Sequence, residues 1–194
     1  MARMPLAERR QQLVDAAIAV MMRDGVNKAT TRSIVAEAGT SLSVFHYCFD
    51  SKDELLEAVI RTIVGKTVTL AEQSIVPGAD VLEMLRSAIR AYWQHVTSNP
   101  EEHLLTYEVT QYCLREPGLA QVALHQYEHY ASAYLALFDS AGYTSTWPVD
   151  TLARYLAVVF DGVTLDWLAR RDEEAALAVL DAVAEHVSTL IKPV

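Results

Sequence analysis

The chain has 194 residues, 52% of them hydrophobic, a net charge of −9 and two cysteines, Cys48 and Cys113. This suits one compact unit, or a small domain fused to a larger one, and excludes a disulfide-stapled fold. No run of about 18 apolar residues occurs, and the opening MARMPLAERRQQL has no apolar core, so neither a bilayer span nor a secretory signal is expected, and a cytoplasmic location is.

Charge is unevenly placed. Eight bases balance eight acids in residues 1–64, whereas residues 65–194 carry eight bases against seventeen acids. An acidic body repels nucleic acid, so any polyanionic partner must dock at the N-terminal end.

Along the chain, glycine and proline punctuate runs whose apolar residues recur at helical spacing, and no useful strand alternation appears. A first helix is expected from about Leu6 to Arg23, with Leu13, Ala16, Ala17, Val20 and Met21 as its apolar stripe and Gly25 as a left-handed stop. Thr30 caps a second helix, Thr31–Ala38, and a third covers about Leu42–Cys48. Ser51 with Glu54 forms a capping box for a fourth helix reaching about Gln73. VPGAD at Val76–Asp80 is a clear break. A fifth helix runs from about Val81 to Ser98, and a sixth from Pro100 to the REPG stop at Arg115–Gly118. The seventh spans Leu119 to about Ser140, and AGYTSTWPVD closes it. Pro148 opens an eighth that runs to about Arg170, and the ninth covers about Glu173–Ile191. The expected fold is all-α: a three-helix head over residues 1–50 and a helical body over 51–194, joined through helix four at about 52–73.

The second and third helices are too short to stand alone. Separated only by Gly39, Thr40 and Ser41, they form a helix-turn-helix in which Ile34, Ala38, Phe45 and Cys48 pack inward on the first helix. The other face of the third helix then presents Leu42, Ser43, His46 and Tyr47. A protruding helix of this size fits a major groove with its N-terminal residues at base edges. Thr31, Ser41, His46, Tyr47 and Lys52 are donors placed to hold phosphates on either side.

These residues resemble the DNA-binding head of the TetR family of transcriptional regulators, whose pattern is close to T-T-x-x-I-A-x-x-A-G-V-S-x-G-x-L-Y-x-Y/H-F-x-x-K-x-x-L. Thr30, Thr31, Ile34, Ala38, Gly39, Ser41, Phe49, Lys52 and Leu55 match it in register, and the likeness covers about residues 9–60. Val35, Thr40, Ser43, Phe45 and His46 depart from the family's favoured Ala, Val, Gly, Leu and Tyr, so the operator preference is this chain's own. The resemblance implies a dimer on a palindromic operator, usually repressing, with DNA contacts from Thr31, Arg32, Ser41, Leu42, Ser43, His46, Tyr47 and Lys52. It also implies a small-molecule effector in the C-terminal bundle that shifts helix four, and a homodimer interface built from helices eight and nine.

Candidate effector-pocket residues are Trp93, Tyr107, Gln111, His125, Tyr130, Tyr134, Phe160, Asp161 and Trp167: an aromatic lining with a few polar handles, which also suits ordinary core packing. Asp161 and Asp166 interrupt an apolar helix. A carboxylate on its inner face suits a cationic effector, whereas Asp166 is expected to face solvent or to pair in a salt bridge. Gly162, costing about 1 kcal/mol relative to Ala inside a helix, makes sense where another helix approaches closely.

HQYEH at His125–His129 matches an H-x-x-E-H zinc pattern, with His125 and His129 on one helix face and Glu128 between them. A zinc enzyme also needs a third ligand and a cleft, and the sequence indicates neither. No G-x-S-x-G, P-loop or Rossmann glycine pattern occurs, and neither cysteine has a basic neighbourhood. The favoured reading is a non-enzymatic, cofactor-free regulator with no metal. The alternatives are a helical metal enzyme on the HQYEH motif and a ligand-binding helical protein that does not bind DNA.

Overall fold

The computed structural model describes residues 4–74 and 80–194. Its helices are α1 Leu6–Asp24, α2 Thr31–Glu37, α3 Leu42–Cys48, α4 Lys52–Gln73, α5 Val81–Ser98, α6 Pro100–Arg115, α7 Ala120–Ser140, α8 Val149–Arg170 and α9 Glu173–Ser188. The architecture is all-α, as the apolar periodicity predicts. The break expected at Val76–Asp80 lies, apart from Asp80, outside the described residues. Asp80 caps α5 by accepting a hydrogen bond from the Leu82 N–H at 2.9 Å.

Four local expectations need correction. A two-stranded antiparallel ribbon pairs β1, Tyr143–Ser145, with β2, Ile191–Pro193. It ends α9 at Ser188 rather than Ile191. Thr189 and Leu190 tighten onto the carbonyls of His186 and Val187, and the Leu190 carbonyl then accepts from the Thr146 N–H at 2.7 Å. Gly25 has positive φ (84°), but its ψ of 154° lies outside the left-handed helical region. Ser51 does accept from the Glu54 N–H, but the Glu54 carboxylate reaches back to the Asp50 N–H, closing only half of a capping box. Finally, apart from Gly162's own helical backbone and chain neighbours, nothing among the described residues lies within 4 Å of where its side chain would begin, so no other described helix of the chain makes the close approach expected there.

The chain forms two compact units. The first comprises Met1–Ile63 and Glu101–Gln126, and the second Val64–Pro100 and Tyr127–Val194. α6 and the beginning of α7 fall in the first unit together with α1, α2 and α3. In the first unit, Leu13, Met21, Ile34, Phe45, Phe49, Leu55, Leu56 and Ile60 are buried together. Each large side chain contributes about 1.5–3 kcal/mol on leaving water, which is how two seven-residue helices hold their shape. In the second unit, α5, α8 and α9 share a core of Trp93, Leu152, Leu156, Phe160, Leu180, Ala184 and Val187.

Candidate functional site

The head is fixed from its caps outward. Thr30 accepts from the Ser33 N–H at 3.1 Å, and Ser33 Oγ accepts from the Thr30 N–H at 3.0 Å, a reciprocal box that starts α2. At its far end Gly39 adopts φ 60°, where a side chain is strained, and turns the chain into α3. Phe45 is 1% exposed and Cys48 is buried, so these two seat α3 on the head. Leu42, Ser43, His46 and Tyr47 then point outward, with Tyr47 60% exposed. Ser41 and Ser43 pair hydroxyl to hydroxyl at 2.8 Å, and Ser41 makes no side-chain cap to α3. Arg32 is exposed and Thr31 half-buried on α2.

Arg10 of α1 locks this arrangement, and sequence reasoning missed it. Its guanidinium donates to the Cys48 carbonyl at the end of α3, pairs with Glu54 of α4 at 2.7 Å, and lies over the Phe49 ring, 4.2 Å from its centroid. Glu54 is held below the usual carboxylate range, first by the Asp50 N–H and then by Arg10. Lys52 does not reach freely into solvent. Its ammonium donates to the Tyr112 hydroxyl of α6 at 3.3 Å and sits 4.7 Å from that ring's centroid. No periodicity marks Tyr112 as its partner, since the contact spans 60 residues.

The expected effector residues fall in both units. Tyr107, Gln111 and His125 belong to the first, and Trp93, Tyr130, Tyr134, Phe160, Asp161 and Trp167 to the second. Gln111 is exposed. His125 binds Glu57 through Nδ1 at 2.8 Å and Gln121 through Nε2 at 3.0 Å, so both ring nitrogens are engaged. Among the described residues, no group of three or more His, Cys, Asp and Glu is placed to hold a metal. Burial, aided by the nearby Asp53, pushes the Cys113 thiol up to about 11, and burial raises Cys48 as well. Asp166 is exposed and pairs with Arg170 at 2.7 Å.

The second unit assembles an aromatic cluster from three helices. Phe160 of α8 meets Tyr92 of α5 edge-on at 4.8 Å and Tyr134 of α7 in a stack at 5.7 Å. Trp93 meets Trp167 edge-on at 5.4 Å, and its buried indole N–H has no hydrogen-bond partner among the described residues. The Tyr92 hydroxyl bonds to buried Thr164 at 2.6 Å. Next to Phe160, the half-buried Asp161 is pushed above the usual carboxylate range by burial, partly offset by a hydrogen bond from Tyr127. Tyr127 in turn packs edge-on against Tyr130 at 5.7 Å. Burial raises both Tyr92 and Tyr127, and each also feels Asp161 and Tyr130. Tyr92, Tyr127 and Thr164 were absent from the sequence-derived set. Tyr92 adjoins Trp93, and Tyr127 lies inside the HQYEH motif.

Comparison with known proteins bears on both regions. Residues 13–59 match the family model described as bacterial regulatory proteins, tetR family. The chain is 31% identical over 169 residues to the HTH-type nicotine-responsive transcriptional repressor HdnoR of Paenarthrobacter nicotinovorans, spanning 86% of this chain and 87% of the relative. The crystal structure of the multidrug binding protein EbrR complexed with imidazole superposes with a TM-score of 0.65 at 30% identity, over 89% of this chain and 88% of that one. The same protein complexed with ethidium gives 0.64 at 29%, over 89% and 96%. A TetR-family regulator from Rhodococcus sp. reaches 0.75 at 18% identity over 94% and 99%, a likeness of fold alone.

Proposed function

The chain belongs to the TetR family of bacterial regulatory proteins and is a helix-turn-helix DNA-binding transcriptional regulator, and on that premise we propose how it works: as a dimeric repressor released from a palindromic operator by a small-molecule effector. One observation carries the DNA half of this reading. A buried Phe45 and Cys48 seat α3 so that Leu42, Ser43, His46 and Tyr47 all face outward on one side. Leu42, Ser43 and Tyr47 reach base edges, while Thr31, Arg32, Ser41, His46 and Lys52 hold flanking phosphates, with the Tyr47 hydroxyl placed for either. In functional terms residues 1–50 bind DNA and residues 51–194 bind the effector and the second subunit, with α4 common to both.

The dimer forms through α8 and α9. Val158 and Leu165 are 62% and 50% exposed and flank Gly162 on one stripe of α8, while Leu177 and Val179 are exposed on α9. Open space over Gly162 suits the close approach of a partner helix. Two heads so joined must match half-sites roughly 34–36 Å apart. An effector that prefers another separation lowers DNA affinity by its differential affinity for the two states and by no more.

The relatives' names support one class of effector. HdnoR is nicotine-responsive, and EbrR was crystallised with imidazole and with ethidium. All three compounds are organic nitrogen bases or cations, and the effector here is of that class, held in the second unit. Selection of duplexes from a random pool tests the DNA half. The expected winner is a palindrome whose binding weakens steeply with salt. A protein with no preference for any duplex, or one that stays monomeric at binding concentrations, refutes the proposal. Leu165→Glu is expected to split the dimer and abolish operator binding together.

A further inference from the structure

We infer that Tyr112 of α6 parks the Lys52 ammonium in the DNA-free protein, and that DNA binding transfers this cation from the tyrosine to a backbone phosphate. Tyr112, a residue outside the helix-turn-helix, thereby sets how tightly the head binds. The inference rests on the DNA reading above, in which Lys52 holds a phosphate, and adds the residue that competes for it.

Usable positive charge is scarce in the head. Residues 1–64 carry as many acids as bases, so a polyanion is attracted only by cations that can be turned toward it. Two arginines are tied to carboxylates: Arg10 to Glu54 at 2.7 Å and Arg23 to Glu37 at 2.8 Å. Drawing either onto a phosphate strips a carboxylate of its partner, and the anion left behind repels the DNA that the cation attracts. Lys52 is held differently. Its ammonium donates to the Tyr112 hydroxyl at 3.3 Å and sits 4.7 Å from the centroid of that ring, both contacts being with an uncharged side chain. Leaving Tyr112 strands no anion. Lys52 opens α4 directly after α3, so its ammonium, on a flexible four-carbon stem, flanks any groove that α3 enters. Val109 and Cys113, on the turn of α6 that carries Tyr112, are fully buried, which keeps the ring in place while the lysine moves. A phosphate offers the ammonium a full opposite charge, so transfer runs toward the DNA, and whatever Tyr112 contributes in the free protein is subtracted from the gain.

The other role open to this contact is a brace, in which Tyr112 steadies Lys52 and α4 and its loss weakens DNA binding. The two roles predict opposite signs. The duplex that wins the random-pool selection, fluorescently labelled, is titrated with the full-length protein over a salt series, and an unrelated duplex is titrated alongside it. Tyr112→Phe keeps the ring and removes the hydroxyl acceptor. It should bind both duplexes more tightly, by about twofold per head and so about fourfold for two heads. Tyr112→Leu removes the ring as well and should gain about two- to fivefold per head. The salt slope should stay at the wild-type value in both, because the bound state makes the same phosphate contacts. Lys52→Ala should bind more weakly with a shallower slope, and in that background Tyr112→Phe should change nothing. Equal or weaker binding by Tyr112→Phe, or a gain that survives in Lys52→Ala, overturns the inference, and so does Lys52→Ala binding as tightly as wild type at every salt concentration. Tyr112→Phe, the milder change, decides the matter if Tyr112→Leu does not fold. A wild type without preference between the two duplexes would sink the regulator reading, while titration of the unrelated duplex still decides the role of Tyr112. A wild type that binds neither duplex overturns both.

Discussion

Replacing Arg10 with methionine tests whether the head's recognition helix is held by one side chain. Arg10 makes three contacts: with the Cys48 carbonyl, the Glu54 carboxylate and the Phe49 ring. The ion pair is 35% and 36% exposed at its two ends, so solvent screening limits it to at most about 1 kcal/mol. A charged donor at the last turn of α3 adds about 1 kcal/mol, because that carbonyl is one of the helix's orphan acceptors. The cation over Phe49 contributes about 0.5–1 kcal/mol. Methionine preserves most of the apolar stem. Glu54 keeps its Asp50 N–H and is not stranded. The expected cost is therefore about 2 kcal/mol, roughly thirtyfold in the local opening equilibrium of α3.

The assay must look at the head itself. Trp93, Trp147 and Trp167 all lie in the second unit, so tryptophan fluorescence does not follow α3. Hydrogen exchange of amides between residues 42 and 49 reports the local opening directly. Exchange about thirtyfold faster in Arg10→Met is expected, with operator binding weakened alike for all duplexes because a positioning contact carries no base information. Exchange within about threefold of wild type would show that α3 is held by Phe45 and Cys48 burial alone.

Thr30→Ala removes the α2 cap and is expected to lower stability by about 1 kcal/mol in urea denaturation followed by circular dichroism. Lys52→Ala should weaken binding to every duplex similarly and reduce the salt slope by about one phosphate contact, and an unchanged slope means that Lys52 stays with Tyr112 on DNA. Substitutions at Ser43 or Tyr47 should change which operator wins a selection, and an unchanged ranking would rule out direct readout by α3. Burial raises Asp161 in the folded chain, so the unfolded chain loses its proton first, and stability falls as pH rises from the unfolded value through the folded one. Of the groups facing it, Tyr92 and Tyr127 are pushed up and do not titrate there. Asp161→Asn should therefore melt higher than wild type at pH 7 and the same as wild type near pH 3.

What the sequence disclosed and what it hid divide along sequence separation. Most helices were legible because each start has a local cause: Thr30 before α2, Asp80 before α5, Pro100 and Pro148 at the openings of α6 and α8. Apolar spacing placed Phe45 and Cys48 inward and Tyr47 outward for the same reason, since one helical turn settles the face. The ribbon was hidden because three-residue strands carry no period, and its pairing joins Ser145 to Ile191 across 46 positions. Arg10 with Glu54, Lys52 with Tyr112 and Glu57 with His125 are hidden likewise, being meetings of ordinary surface residues 44 to 68 positions apart. The effector candidates show the mixed case. Aromatic composition drew attention to Phe160 and Tyr134, but spacing along one helix could not tell which rings of α5 and α7 pack against Phe160. Tertiary packing makes that choice, bringing in Tyr92 and leaving Tyr107, Gln111 and His125 with the first unit. A local code thus specifies the outward face of α3, whereas the aromatic cluster of the second unit depends on how distant helices pack. The head can therefore be recognised across a family at residue level, while each member's effector site has to be established from its own packing.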